Sequence, residues 1–334
     1  MIRNYFKTAI RNILKHKGYS IINIAGLAIG LAIFSLAATL FKFQMSFNQF
    51  HRDADRIYSI VQVVPSGTAG ERHSAIAGAP MRNLLRNEFQ EIEDATRWIP
   101  TDRAVVRQER NTFYAEEGTI LFVDSNFLTF FSFEILAGEP ETALSESNSV
   151  VLSESTARRY FGSVNAMGRK LTIWKDFEFV VKGVTRDAPL NSSLKFDMLI
   201  SMNTFDWETN WSIKGTTFVR LAKKTPPHNL EQKFPAFIEK HLSDSPVFPK
   251  KMYLHGFKDL NLKSYGIRGY WPKEIPEIVY LTFVIGIIML LAVCFNFMNL
   301  ATAGYFMRAK EVGVRKAIGA SRRQLMWQFF GESV

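Results

Sequence analysis

Two apolar stretches, residues 18–41 and 278–307, stand out from the mixed polar and apolar pattern of this chain because neither contains a charged side chain. A helix rises about 1.5 Å per residue and needs roughly 20 residues to cross ~30 Å of hydrocarbon, so each stretch predicts a membrane span. In the first, Ile22, Ile24, Leu27, Ile29, Leu31, Ile33, Phe34 and Leu36 supply the apolar surface. Gly26 and Gly30 form a small-xxx-small pair that lets a second helix approach closely. A cleaved signal sequence fits poorly, because its apolar core covers about 7 to 15 residues. The second stretch would make about 45 Å of helix. Its surplus is expected as a stalk at the outer end, where Tyr270-Trp271-Pro272 and Pro276 supply interfacial aromatics and helix-starting prolines. Asn296 and Asn299 lie inside it and are expected to hydrogen-bond to another helix.

Between the spans the pattern is that of a folded α/β domain. Runs rich in β-branched and aromatic residues predict strands at Tyr58 to Val64, Arg103 to Arg107, Phe113 to Val123, Ser149 to Leu152, Lys170 to Trp174, Phe177 to Val184, Thr216 to Leu221 and Met252 to Phe257. Helical spacing appears in Pro80 to Phe89 and Leu230 to Leu242, and Ser153 reads as the N-cap of a helix reaching Phe161 and stopped by Gly162. Strand, helix and strand follow one another from Tyr58 to Arg107 and again from Thr216 to Phe257. Two related βαβ lobes with a strand-rich subdomain between them are therefore expected.

Charge then sets a direction across the membrane. Residues 1–17 hold Arg3, Lys7, Arg11, Lys15 and Lys17 and no acid, and residues 308–334 carry a net charge of +4. Of the total of +10, only +1 is left for the middle segment. Cations concentrate on the cytoplasmic side of membrane proteins, so both ends are expected inside and the middle outside. Arg3, Lys7, Arg11 and Lys15 follow one another at i, i+4, opposite Ile2, Tyr5, Phe6, Ile10, Ile13 and Leu14. That helix either lies on anionic lipid or packs its apolar face on another subunit. The chain reads as 1–17, an amphipathic helix; 18–43, a first span; 44–277, an extracytoplasmic domain; 278–307, a second span; and 308–334, a cytoplasmic segment.

Catalytic and ligand-binding motifs are missing. No G-x-x-x-x-G-K-[ST] loop, no HExxH and no G-x-S-x-G elbow occurs, and the histidines form no i, i+4 pair. No catalytic residue, metal site or cofactor is expected in the chain itself. Cys294 is the single cysteine, which excludes an intrachain disulfide. The pI of about 9.6 does not mark a nucleic-acid binder, because the cations border the spans and the folded middle is nearly neutral.

The most specific motif follows the second span and includes Arg308, Lys310, Glu311, Val312, Gly313, Val314, Arg315, Lys316, Gly319, Ala320 and Ser321. Local rules predict two short helical pieces broken near Gly313 and Gly319, with Ser321 capping a further helix. Such a charged turn suits docking of a soluble partner and equally a patch that holds anionic lipid.

Arg308 to Gln324 resembles the R-x-K-E-[IV]-G-[IV]-R-[KR]-A-[IL]-G-A-S-[RK] signature of MacB-type ABC transporter permeases, the superfamily that includes FtsX and the lipoprotein-releasing Lol permeases. Arg11 to Lys17 with Ile22 to Gly30, and Phe50 to Tyr58, are similar to the family's first span and the entry to its outer domain. The resemblance implies a membrane protein in which two transmembrane helices flank a large extracytoplasmic mixed α/β domain with porter-like βαβ lobes and a strand-rich subdomain. It further implies a non-catalytic subunit in the bacterial inner membrane that pairs with a second permease subunit, identical or different, and with an ABC-type ATPase that binds ATP and Mg. A periplasmic adaptor is a further implied partner. Arg308 to Ser321 would contact the ATPase, with Glu311, Arg315 and Lys316 as charged contacts and Val312 and Val314 as plugs. Export of peptide, antibiotic or lipoprotein is the implied task, and a peptide sensor or an FtsX-like regulator of cell-wall hydrolases uses the same scaffold. Family members have at least four spans, so the sequence through Val334 is expected to be the first part of such a protein.

Overall fold

The computed structural model describes residues 17–65, 70–243 and 248–317. In chain order the elements are helix α1 (Lys17–Met45), strands β1 (Ile57–Pro65), β2 (Glu71–Ser74) and β3 (Ile76–Gly78), helix α2 (Met81–Glu88) and strands β4 (Ile92–Pro100), β5 (Ala104–Gln108), β6 (Asn111–Ala115) and β7 (Ile120–Val123). Then come α3 (Phe127–Phe130), β8 (Ile135–Ala137), β9 (Ser149–Ser153), α4 (Glu154–Phe161), β10 (Lys170–Ile173), β11 (Phe177–Thr185) and β12 (Met198–Ser201). The chain continues through β13 (Lys214–Leu221), α5 (Pro227–Glu231), α6 (Phe234–His241), β14 (Lys251–Gly256), β15 (Ile267–Arg268) and α7 (Pro276–Ala317). Two compact units result, residues 43–276 and the helical segments on either side of them.

Within residues 43–276, β14, β1, β13 and β4 lie side by side, every neighbouring pair antiparallel. Helix α2 connects β1 to β4 and helices α5 and α6 connect β13 to β14, so each βαβ unit has a strand of the other inserted between its own two. The two units expected as separate lobes therefore share one sheet and form one lobe of the split βαβ type. Apolar faces explain the merger. Met81, Leu85 and Phe89 from one unit and Leu230, Phe234, Phe237 and Ile238 from the other close a single core over Ile60, Val219 and Leu254.

The first unit's second strand is β4, not Arg103 to Arg107. Its sequence, Ile92-Glu93-Asp94-Ala95-Thr96-Arg97-Trp98-Ile99-Pro100, carries charges that mask the pattern, yet Ala95 to Ile99 are all buried. Arg97 accounts for the contradiction. Its guanidinium is buried against the Asp124 carboxylate at 3.2 Å and reaches Glu208 at 3.0 Å, and its backbone N–H donates to Asp124 Oδ2 at 2.7 Å.

The strand-rich subdomain, β5 to β12, is inserted between β4 and β13 and continues the same sheet through the β4–β7 pair. Its own core holds Val106, Ile120, Phe122, Val150, Leu171, Phe179 and Ile200. The predicted strand Phe113 to Val123 is two strands, because Gly118 takes φ +75° in the turn between them. Helix α4 starts and stops where expected: the Thr156 N–H donates to Ser153 Oγ, and Gly162 ends it at φ +70°.

Candidate functional site

Segments 24–45 and 276–299 are the two candidate membrane spans, long and apolar enough to cross a bilayer. Only 11% and 6% of these windows is buried, which separates them from the core helices of a soluble protein. Ile24, Ile29, Leu36, Ile278, Leu281, Val284, Ile288 and Leu291 are all exposed. Such a surface is stable against lipid and not against water.

The spans pack through small residues. A Cβ on Gly30 would stand 2.3 Å from Val293 Cγ2, and one on Gly286 would stand 2.8 Å from Ala37 Cβ. Near the other end of the pair Phe41 stacks on Phe283 at 4.4 Å and meets Tyr280 at a tilt. Of the small-xxx-small pair, Gly30 is the member used; Gly26 faces open space. Asn296 and Asn299 do not bond to α1: both are exposed, and neither side chain has a hydrogen bond among the described residues.

Helix α7 begins at Pro276, a residue suited to the first position of a helix. The candidate span ends at Asn299, and the helix runs on to Ala317. Arg308, Lys310, Glu311, Val312, Gly313, Val314, Arg315 and Lys316 are all on this helix, and the break expected near Gly313 is absent. A glycine inside a helix costs about 1 kcal/mol relative to alanine, which a helix of 42 residues absorbs. Gly319, Ala320 and Ser321, like Arg3, Lys7, Arg11 and Lys15, lie outside the described residues.

Residues 44–51 are held within the outer domain by amide side chains that sequence reading did not single out. Asn48 is buried at φ +59°, a left-handed conformation that asparagine tolerates. Its Nδ2 donates to Ser193 Oγ and to the Phe257 carbonyl at 2.9 and 2.8 Å, and its Oδ1 accepts from the Ser193 N–H at 2.8 Å. Asn191 Nδ2 donates to Ser46 Oγ at 2.9 Å and Asn261 Nδ2 to Gln44 Oε1 at 2.6 Å. Beside them His51 is enclosed by Phe131, Phe133 and Phe257 and its Nδ1–H donates to the Phe131 carbonyl. Burial lowers the pKa of this imidazole to about 3. Phe50 to Tyr58 carried the only sequence signal for this region.

Among the described residues no group of acids, histidines and cysteines is arranged to hold a metal ion. Residues 20–237 match the MacB-like periplasmic core domain, and residues 283–334 match the FtsX-like permease C-terminal domain. The chain belongs to the MacB/FtsX family of permeases. It is thus a bacterial membrane protein of a non-catalytic, ABC-type permease family. A domain assigned to a permease protein of Porphyromonas gingivalis superposes with a TM-score of 0.52 at 23% identity, covering 62% of this chain and 93% of that one, which shows a common fold. The periplasmic region of MacB from Actinobacillus actinomycetemcomitans gives a TM-score of 0.45 at 14% identity, covering 62% of this chain and 91% of that one. The extracellular domain of the noncanonic ABC-type transporter YknZ from Gram-positive bacteria gives 0.43 at 12%, covering 59% and 98%. No curated protein gives a significant match.

Proposed function

We propose that this MacB/FtsX-type permease couples ATP hydrolysis by a separate cytoplasmic ATPase, which holds the ATP and Mg, to movement of its outer domain during export. The observation that carries this reading is the continuity of α7, which holds both the second span and Arg308 to Lys316 without an internal proline. Displacement applied to one end of an unbroken helix is felt at the other, whereas a kink would absorb it. At about 1.5 Å per residue the helix is about 63 Å long, roughly twice the thickness of the hydrocarbon layer. Glu311, Arg315 and Lys316 are then the charged contacts to the ATPase.

In this reading the chain lies in the inner membrane with the basic segments at both ends in the cytoplasm. The uncommitted amides of Asn296 and Asn299 mark the face of α7 that meets a second permease subunit, because an amide in hydrocarbon needs a partner. The exported species is a peptide, antibiotic or lipoprotein. The deciding experiment is co-purification of the ATPase with the Glu311→Lys, Arg315→Glu and Lys316→Glu variants, together with ATPase stimulation in an Ile287→Pro variant. Charge reversal should abolish co-purification, and the proline should leave the ATPase bound but no longer stimulated. Retained binding in all three reversals overturns the coupling assignment.

A further inference from the structure

The outer domain contains a cleft that the coupling mechanism does not use. Strand β13 pairs with β1 only along Ile57 to Ser59, and the same edge of β1 is taken by β2 from Gln62 to Pro65. Lys214 to Thr216 of β13 turn instead to β3. Where β1 and β13 splay apart, a cavity of about 190 Å³ opens.

Its lining contains three cations, Arg72, Lys214 and Arg268, and no carboxylate. Val64 is registered with Arg72, Gln62 with Ser74, and Ser74 in turn with Arg268. Residues paired across strands share a face, so Arg72, Arg268 and the Gln62 amide rise from one side of the sheet. Among the described residues none of the three cations has an ion pair or side-chain hydrogen bond. Elsewhere on the domain lysines and arginines such as Lys233, Lys240, Arg159 and Arg186 are matched with carboxylates. Burial also lowers the pKa of Lys214, so its ammonium is held at a cost that an incoming anion would relieve.

Two aromatic side chains complete the walls, Trp211 and Tyr270. Trp211 lies directly on Gly78, where a Cβ would come within 2.5 Å of the indole. Asp102 acts on Tyr270 from outside the lining. A phosphate monoester carries a charge of about −1.5 to −2 at pH 7 and accepts paired hydrogen bonds from guanidinium groups, so it matches this set better than a single carboxylate.

We propose that the cleft binds a phosphate monoester, its phosphoryl group held by Arg72, Lys214 and Arg268 and its organic part against Trp211 and Tyr270. The source is either a soluble phosphate ester or the headgroup of an anionic lipid, and two arms of one experiment separate them. Full-length protein in neutral detergent is titrated calorimetrically with glycerol 3-phosphate. Protein in phosphatidylcholine nanodiscs, with and without phosphatidic acid, is followed by thermal unfolding. Saturable binding in the first arm, displaced by inorganic phosphate, identifies a soluble ester. Stabilisation by phosphatidic acid in the second arm alone identifies the lipid. In either case Arg72→Gln and Arg268→Gln, both exposed positions, should weaken the response at least about tenfold while leaving the unliganded unfolding temperature unchanged. Lys214→Gln should act in the same direction. No response in either arm, an equal response in the variants, or equal binding of succinate would overturn the proposal.

Discussion

Asn48 and Ser193 are 145 positions apart and exchange two hydrogen bonds, each side chain or backbone N–H of one meeting an oxygen of the other at 2.8 to 2.9 Å. With the third bond to Phe257, this pair fixes the turn that follows α1 in the core of the outer domain. Asn48→Ala removes all three bonds, leaves buried partners unpaired and retains a left-handed backbone that alanine resists. A loss of about 3 kcal/mol or more is expected in chemical unfolding. Asn48→Gly loses the bonds but not the conformation, so it should be the milder variant by about 1 kcal/mol. Equal losses would show that the backbone angle contributes nothing.

His51 makes the domain sensitive to acid. Its pKa is about 3 in the folded chain against 6.5 in the unfolded one, so between those values the unfolded state binds the extra proton. Stability is fully present above about pH 6.5 and falls as pH drops, by at most ~1.4 kcal/mol per pH unit. Charging the ring would also strand a cation among Phe131, Phe133 and Phe257. Unfolding temperatures between pH 7 and 5 should show this slope in the native chain, and His51→Asn, which keeps a donor toward Phe131, should flatten it.

Gly30 sits where Val293 leaves no room for a side chain. Gly30→Leu should force the two helices apart at a cost of about 1 to 3 kcal/mol, the usual penalty of overpacking. Val293→Gly should restore much of the loss when combined with Gly30→Ala. At Gly26, which faces open space, Leu should be tolerated. Pairs of cysteines placed at 30 and 293 in a Cys294→Ser background should cross-link, and Gly26→Cys with Val293→Cys should do so poorly.

How far the sequence disclosed this arrangement depends on how local each signal is. The spans were legible because absence of charge over 24 and 30 residues has few other physical meanings. Helix α4 was legible because Ser153 and Gly162 mark its ends chemically. Strand β4 was not, because Arg97 and Asp94 look like surface residues until Asp124, Glu208 and Arg220 come from far along the chain to meet them. The interleaving of the two βαβ units was hidden for the same reason. Order along the chain gives strand, helix, strand twice, and only the packing of Phe89 on Phe234 and Phe237 tells that they share a core. The pairing of Gly30 with Val293 and the anchoring by Asn48 likewise depend on partners that no local pattern names.

Arg97 and Asp124 supply the most demanding prediction. Both are buried, and once the Arg97 side chain is gone Asp124 keeps one cation, Arg82 at 3.8 Å, beside the backbone N–H of residue 97. Arg97→Met should cost about 3 to 5 kcal/mol, because it leaves a carboxylate without its partner in the interior. Combining it with Asp124→Leu should recover a large part of that loss, since replacing both charges by apolar groups of similar size is often close to neutral. Glu208→Gln removes a partner whose carboxylate is half exposed, and it should cost less than about 1 kcal/mol. A pH titration distinguishes a buried charge from lost packing. Burial raises the Asp124 pKa, against the pull of Arg97 and then of Arg82. A carboxyl whose folded pKa is raised binds its proton more readily in the folded state, so its contribution improves as pH falls through that range. Removing Arg97 removes the strongest opposing pull and should steepen this trend. Arg97→Met should therefore regain stability on mild acidification relative to Arg97→Met with Asp124→Leu, and parallel pH profiles for the two variants would show that the penalty is one of packing alone.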